Sequence, residues 1–212
     1  MKKVSVLFLP LLIVFASACN KDKEGAYRLN VIAKSAKSSS ATFQLNSASC
    51  YVTELELEAD DDDYRDDDDR NEIDLEGRYL VDLLTGNSSP ALPEIDVVSA
   101  NYDELEIEFG EDDDQGIYSF RVEGSYNDGS NDIPVIIEIE EELSYELEDD
   151  NGISIDEDLT SQILITVDLQ SALAAVDFSQ AQIQNGSIII DDDNNTSLYS
   201  DFVDALELEL DD

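Results

Sequence analysis

Tyr51-Val52-Thr53-Glu54-Leu55-Glu56-Leu57-Glu58-Ala59 alternates apolar and acidic residues through its second half. A repeat of two is that of a β-strand, whose successive side chains point to opposite faces of the sheet. Tyr51, Thr53, Leu55, Leu57 and Ala59 are expected on one face, and Glu54, Glu56 and Glu58 on the other. A strand of this kind belongs where a core meets water, so the stretch predicts an antiparallel sheet with one solvated face.

The same repeat recurs along the chain. Leu105, Ile107 and Phe109 alternate with Glu104, Glu106 and Glu108, and Tyr118, Phe120 and Val122 with Ser119, Arg121 and Glu123. Val135, Ile137, Ile139, Leu143, Tyr145 and Leu147 share one face, with Glu141 marking a bulge or strand end. Ile163, Ile165, Val167 and Leu169 form a further run. Thr85-Gly86-Asn87, Asn127-Asp128-Gly129 and Asn151-Gly152 read as turns, the last two as hairpin turns, because Asn and Gly accept positive φ. Short strands separated by turns predict a mainly β fold, an antiparallel β-sandwich. Two short helices are expected near the C-terminus, over residues 169–176 and from Thr196 or Ser197 onward. Leu206 to Leu210 fits either helix or strand.

The N-terminus carries an address. Lys2 and Lys3 precede an apolar stretch from Val4 to Phe15, and Ala16, Ser17 and Ala18 lead into Cys19. That order is read by signal peptidases, and the stretch is short of the roughly 20 residues a membrane-spanning helix needs. Ala16-Ser17-Ala18-Cys19 resembles the lipobox of bacterial lipoproteins, with Ala16 where that pattern begins with Leu. The resemblance implies lipid on Cys19 and cleavage before it, hence anchorage to the outer membrane, facing the periplasm or the cell surface. An ordinary signal peptide cut after Ala18 is the other reading. The expected organisation is a signal peptide over 1–18, a tether over 19–25 and one acidic domain over 26–212.

Removal of residues 1–18 leaves 11 − 2 = 9 basic residues against 52 acidic, a charge of 9 − 52 = −43. Such a charge repels nucleic acid and anionic headgroups, so the expected membrane contact is the lipid on Cys19. A protein or glycan partner is left open. Self-repulsion on this scale falls in brine, where screening shortens to about 3 Å at 1 M salt, and this points to a saline habitat. Cys50 sits in a strand pattern and is expected to be a buried apolar thiol, a disulfide to Cys19 being the alternative.

The chain has no histidine, which removes His-based triads and imidazole metal sites. Three acidic loops are candidate calcium ligands, through Asp60, Asp62, Asp66 and Asp68, through Asp112 and Asp114, and through Asp191 and Asp193. No other cofactor is expected. None of the loops meets the EF-hand pattern: with Gly116 aligned to its glycine, Val122 stands where Glu is required. The competing reading is that they are charged hairpin tips that keep a secreted protein soluble. Facing strands that carry Glu54, Glu56, Glu58 and Glu104, Glu106, Glu108 would set like charges against one another, unless register separates them.

The segment Ala48 to Phe109 resembles a domain of unknown function found in secreted lipoproteins, many from Bacteroidota. The likeness rests on a first strand from Cys50 to Glu58, a return strand ending Gly77-Arg78-Tyr79-Leu80-Val81-Asp82-Leu83-Leu84, a proline-containing loop, and Asn101-Tyr102-Asp103-Glu104-Leu105-Glu106-Ile107. Val176 to Ala181, Gly186 to Ile190 and Asn195 to Tyr199 are similar to the tail of such lipoproteins. The resemblance implies an immunoglobulin-like or transthyretin-like sandwich and brings no catalytic residues. Three functional expectations follow: a non-enzymatic cell-envelope lipoprotein with a binding or structural role; an accessory subunit of fimbriae or adhesins that assembles by strand addition; and a glycosidase working through a carboxylate pair.

Overall fold

The computed structural model describes residues 24–33, 43–59, 72–98, 101–110, 118–156 and 160–211. The fold is mainly β and forms two sheets around one apolar core. The strands are β1 (Glu24–Ala33), β2 (Phe43–Ala59), β3 (Glu72–Asp82), β4 (Asn87–Ser89), β5 (Glu94–Val98), β6 (Asn101–Phe109), β7 (Phe120–Asn127), β8 (Asp132–Ile139), β9 (Leu143–Ser154), β10 (Thr160–Val167), β11 (Ile183–Gln184), β12 (Ser187–Ile190) and β13 (Leu208–Asp211). Two short helices, α1 (Leu169–Ala175) and α2 (Thr196–Val203), lie in the C-terminal part as expected, and the ambiguous end of the chain is strand. Glu24 and Gly25, within the stretch expected as tether, pair with Val98 and Val97.

The smaller sheet has the order β13-β10-β1-β5, and the larger one runs β11-β12-β8-β7-β2-β3-β4 with β6 and β9 branching from β2. Most ladders are antiparallel, as predicted, but β1 pairs with β10 and β12 with β8 in parallel. Tyr27, Leu29, Val31, Ile163 and Ile165 of one sheet share a continuous buried cluster with Leu55, Leu57, Leu105, Ile107 and Phe109 of the other.

The larger sheet is built on long strands that are locally interrupted. β2 gives its first half to β7 and its second half to β6 along the same edge, while β3 takes the opposite edge. β6 and β7 therefore run end to end beside β2, and β9 and β8 run back beside them. Where the outgoing line breaks, Phe109 and Phe120 close up with ring centroids 4.6 Å apart. Ser119 stitches the break: its amide donates to Ile139 O (2.7 Å), its hydroxyl donates to Glu141 O, and its carbonyl accepts from Tyr51 N (2.9 Å). Alternation places Ser119 outward, yet these three bonds hold it in the core, fully buried. Glu141 lies in the matching break between β8 and β9, as its position in the pattern predicts.

Two irregularities shift the phase of β2. Phe43 and Leu45 face the core, then Ala48, Cys50 and Val52, then Leu55 and Leu57, with register shifts at 45/47 and 52/54. The shift at Thr53 overturns the single-phase reading: Val52 is buried where Tyr51 and Thr53 were expected inward, and Tyr51 and Thr53 are only half-buried. Asn127-Asp128-Gly129 forms the β7–β8 hairpin turn, with Gly129 at φ +92°. Asn151-Gly152 does not turn the chain. It lies inside β9 in a bulge, where Glu148 and Ile153 pair with Glu104 and Tyr102 on β6. Gly152 holds φ +71°, and a Cβ there would lie 2.0 Å from the Asn101 side chain. A positive φ serves a bulge as well as a hairpin, so the dipeptide alone does not separate the two.

Candidate functional site

The second half of β2 carries three glutamates on the face opposite Leu55 and Leu57, and the register decides what stands beside them. Glu54 pairs with Glu108, Glu56 with Glu106 and Glu58 with Glu104 across the β2–β6 ladder. On the other edge the partners are Glu76, Asp74 and Glu72 of β3. β9 extends the rows outward, setting Glu148 beside Glu104, Glu146 beside Glu106 and Ser144 beside Glu108.

Three rows of acidic positions thus cross four strands: Glu76-Glu54-Glu108-Ser144, Asp74-Glu56-Glu106-Glu146 and Glu72-Glu58-Glu104-Glu148. Strands lie about 4.8 Å apart and same-face residues about 6.8 Å apart along a strand, so the grid has one position per about 33 Å², eleven of its twelve positions being acidic in sequence. These four strands contain a single basic residue, Arg78. β7 and β8 are arranged differently: Arg121 bonds Glu138 across the ladder and Glu123 at 2.7 Å on its own strand.

Local bonds organise the grid. Ser144 donates its hydroxyl to Glu106 at 2.5 Å, and Thr53, at the bulge, donates to the Glu108 carbonyl at 3.3 Å. The Glu108 carboxyl is held above its ordinary value, first by partial burial, then by its hydrogen bond with Glu54 and by the charges of Glu54, Glu142 and Glu106. Desolvation and like charge both favour the neutral acid, so Glu108 retains its proton more readily than an isolated glutamate does.

Among the predicted calcium ligands, Asp60, Asp62, Asp66, Asp68, Asp112 and Asp114 lie outside the described residues, as does Cys19. Asp191 and Asp193 are described. Asp191 is buried, and its Oδ1 accepts from the backbone amides of Asp193 (3.0 Å) and Asn194 (2.5 Å). The Asn194 side chain donates to both Asp191 oxygens, at 2.8 and 2.9 Å. These bonds shape the loop, three of them ending on Oδ1 and one on Oδ2. Asp193 instead borders a polar cavity of about 250 Å³ lined by Gln180, Gln182, Gln184, Asn194 and the first residues of α2. Asn195, at φ +53°, braces this corner by accepting from Gln182 N (2.7 Å) and donating to Gln182 O (3.1 Å) and Ile189 O (2.6 Å). Among the described residues no group of three or more Cys, Asp or Glu is arranged to hold a metal ion.

Cys50 is a free thiol, fully buried, and its burial pushes its pKa up. No described helix is long and apolar enough to cross a membrane.

No family model, curated protein or solved structure matches this chain.

Proposed function

We propose that the chain is a non-enzymatic lipoprotein of the cell envelope, anchored through lipid on Cys19, whose acidic sheet face gathers cations loosely while the domain serves a binding or structural role. The observation that carries the cation reading is the register of β2 with β3 and β6, which stacks carboxylates in rows instead of separating them. Neighbouring unit charges about 4–5 Å apart repel by about 1 kcal/mol even in water, so the face lowers its energy by collecting counterions. The grid is regular and open, with no closed ligand set among the described residues, and this favours many weak divalent contacts over one tight one. The anchor reading is supported by the order of Lys2, Lys3, the apolar stretch and Ala16-Ser17-Ala18-Cys19.

Calorimetry with calcium chloride tests the first half. Saturable uptake of several ions per chain, weakened by replacing Glu56 and Glu106 with Gln, is expected, and a flat trace at low salt removes the cation role. Mass spectrometry of protein from its native host, wild type against Cys19→Ala, tests the second: the variant should lose both the lipid mass and membrane association. An unmodified Cys19 in the wild type refutes the anchor.

A further inference from the structure

Among the described residues, β9 has one edge that pairs with no strand. The outer side of the long β8–β9 line is closed along Val135–Ile137 by β12, which pairs with β8 in parallel. The chain then turns away through 191–195 into α2, and joins the other sheet as β13 against β10. On its way it touches the line where Tyr199 donates to Glu141 (2.9 Å) and where Tyr145 donates to Leu206 O (3.4 Å). β13 comes within 8 Å of β9, measured between Cα atoms, without pairing to it. Among the described residues, β9 pairs only with β6.

We infer that this edge takes up an extended segment of a protein partner in which Lys or Arg alternates with apolar residues. The segment Leu143–Glu148 pairs regularly with Phe109–Glu104, about 20 Å of strand and enough for a partner of about six residues. An unpaired strand offers a row of backbone donors and acceptors, and side chains on the two faces then select what joins it. On one face an added strand lies beside Ser144 and Glu146, at the rim of the carboxylate grid, where cationic side chains satisfy the opposite-charge rule for cross-strand neighbours. On the other face Leu143, Tyr145 and Leu147 are only partly buried against the core, and apolar side chains from an added strand complete their cover. A second copy of this chain is a poor occupant, since β9 against β9 lays acidic rows beside acidic rows. The inference stands apart from the lipid anchor.

The test uses the mature chain and a synthetic peptide, Lys-Val-Lys-Val-Lys-Val-Lys with capped ends. Two controls are a peptide of equal charge with its central Val replaced by Pro, and one with Glu in place of Lys. Saturable binding of the first peptide is expected, with amide-exchange protection gained within 143–148. The Pro peptide should bind at least tenfold more weakly and the Glu peptide not at all. Glu146→Lys should weaken the Lys peptide at least tenfold, whereas Asp201→Lys, the same change in net charge on α2, should leave it within about twofold. Equal binding of the Pro peptide, or binding without protection of 143–148, means attraction by charge alone and overturns the inference. So does the absence of binding at millimolar peptide, or concentration-dependent dimerisation through β9 without any peptide.

Discussion

Glu54 stands directly opposite Glu108 across the β2–β6 ladder, with Glu76 on its other side. Like charges placed this way cost about 0.2–1 kcal/mol per pair, so Glu54→Gln is expected to stabilise the fold by about 0.5–1 kcal/mol at low ionic strength. The gain should shrink toward zero in molar NaCl, where screening falls to about 3 Å, while the melting temperature of the wild type climbs. Thermal melts across a salt series check both statements.

The same pair sets a pH dependence. Glu108 has a folded-state pKa above its ordinary 4.5, so its contribution to stability is fully present below about pH 4.5 and is lost as pH rises through the raised folded value. Stability should therefore fall from mildly acidic toward neutral pH, and Glu108→Gln should flatten that slope. The turn at Asp128 acts the other way: hydrogen bonds from the Asn131 and Ser130 amides lower its pKa, so its contribution is present above the ordinary aspartate value and lost on further acidification. Melts between pH 3 and 8 should show a maximum on the acidic side. A curve rising steadily to pH 8 contradicts the Glu108 assignment.

Cys50 should be inert while the protein is folded. Its thiol is fully buried and its pKa raised by desolvation, so reaction with an aromatic disulfide at pH 8 is expected to be slower than for the denatured chain by at least about a hundredfold. Labelling followed with and without guanidinium chloride measures the ratio.

Gly152→Ala should cost about 1–3 kcal/mol, because φ of +71° is unfavourable for alanine and the new Cβ meets the Asn101 side chain. Adding Asn101→Ala removes the collision and should restore only part of the loss. Denaturant melts of the single and double variants separate the two terms.

Asn195→Ala should cost about 2–3 kcal/mol through the loss of three bonds to Gln182 and Ile189, with the backbone at φ +53° left strained. Asn195→Gly relieves the strain without restoring the bonds and should fall between the two.

The alternation of apolar and polar residues made β2, β6, β8 and β9 legible in the sequence, because period two is a property of a single strand. Neighbours are a property of the fold. That β12 and β1 find parallel partners, and that β3 and β9 flank the glutamates of β2 and β6, leaves no mark on any one strand's pattern. Asn185-Gly186 turns β11 into β12 with both residues at positive φ, yet strands of two and four residues are too short to show a period. Asp191 braces its loop through bonds from Asn194, and the composition Asp-Asp-Asp-Asn-Asn carries no sign of that pairing.

The phase shifts in β2 take on a second meaning beside the grid. Glu54-Leu55-Glu56-Leu57-Glu58 and Glu104-Leu105-Glu106-Ile107-Glu108 read almost the same after a slip of two residues, so neither charge nor greasiness tells the correct alignment from its neighbour. The irregularities at 45/47, 52/54 and 58/59 of β2, and the bulge before Ile153, interrupt that repeat and fit their partners in only one place. They act as the notches of a ruler whose gradations are otherwise identical. A variant with Thr53 deleted is a sharp probe of that reading: it should lose the definition of its pairing before it loses its β content.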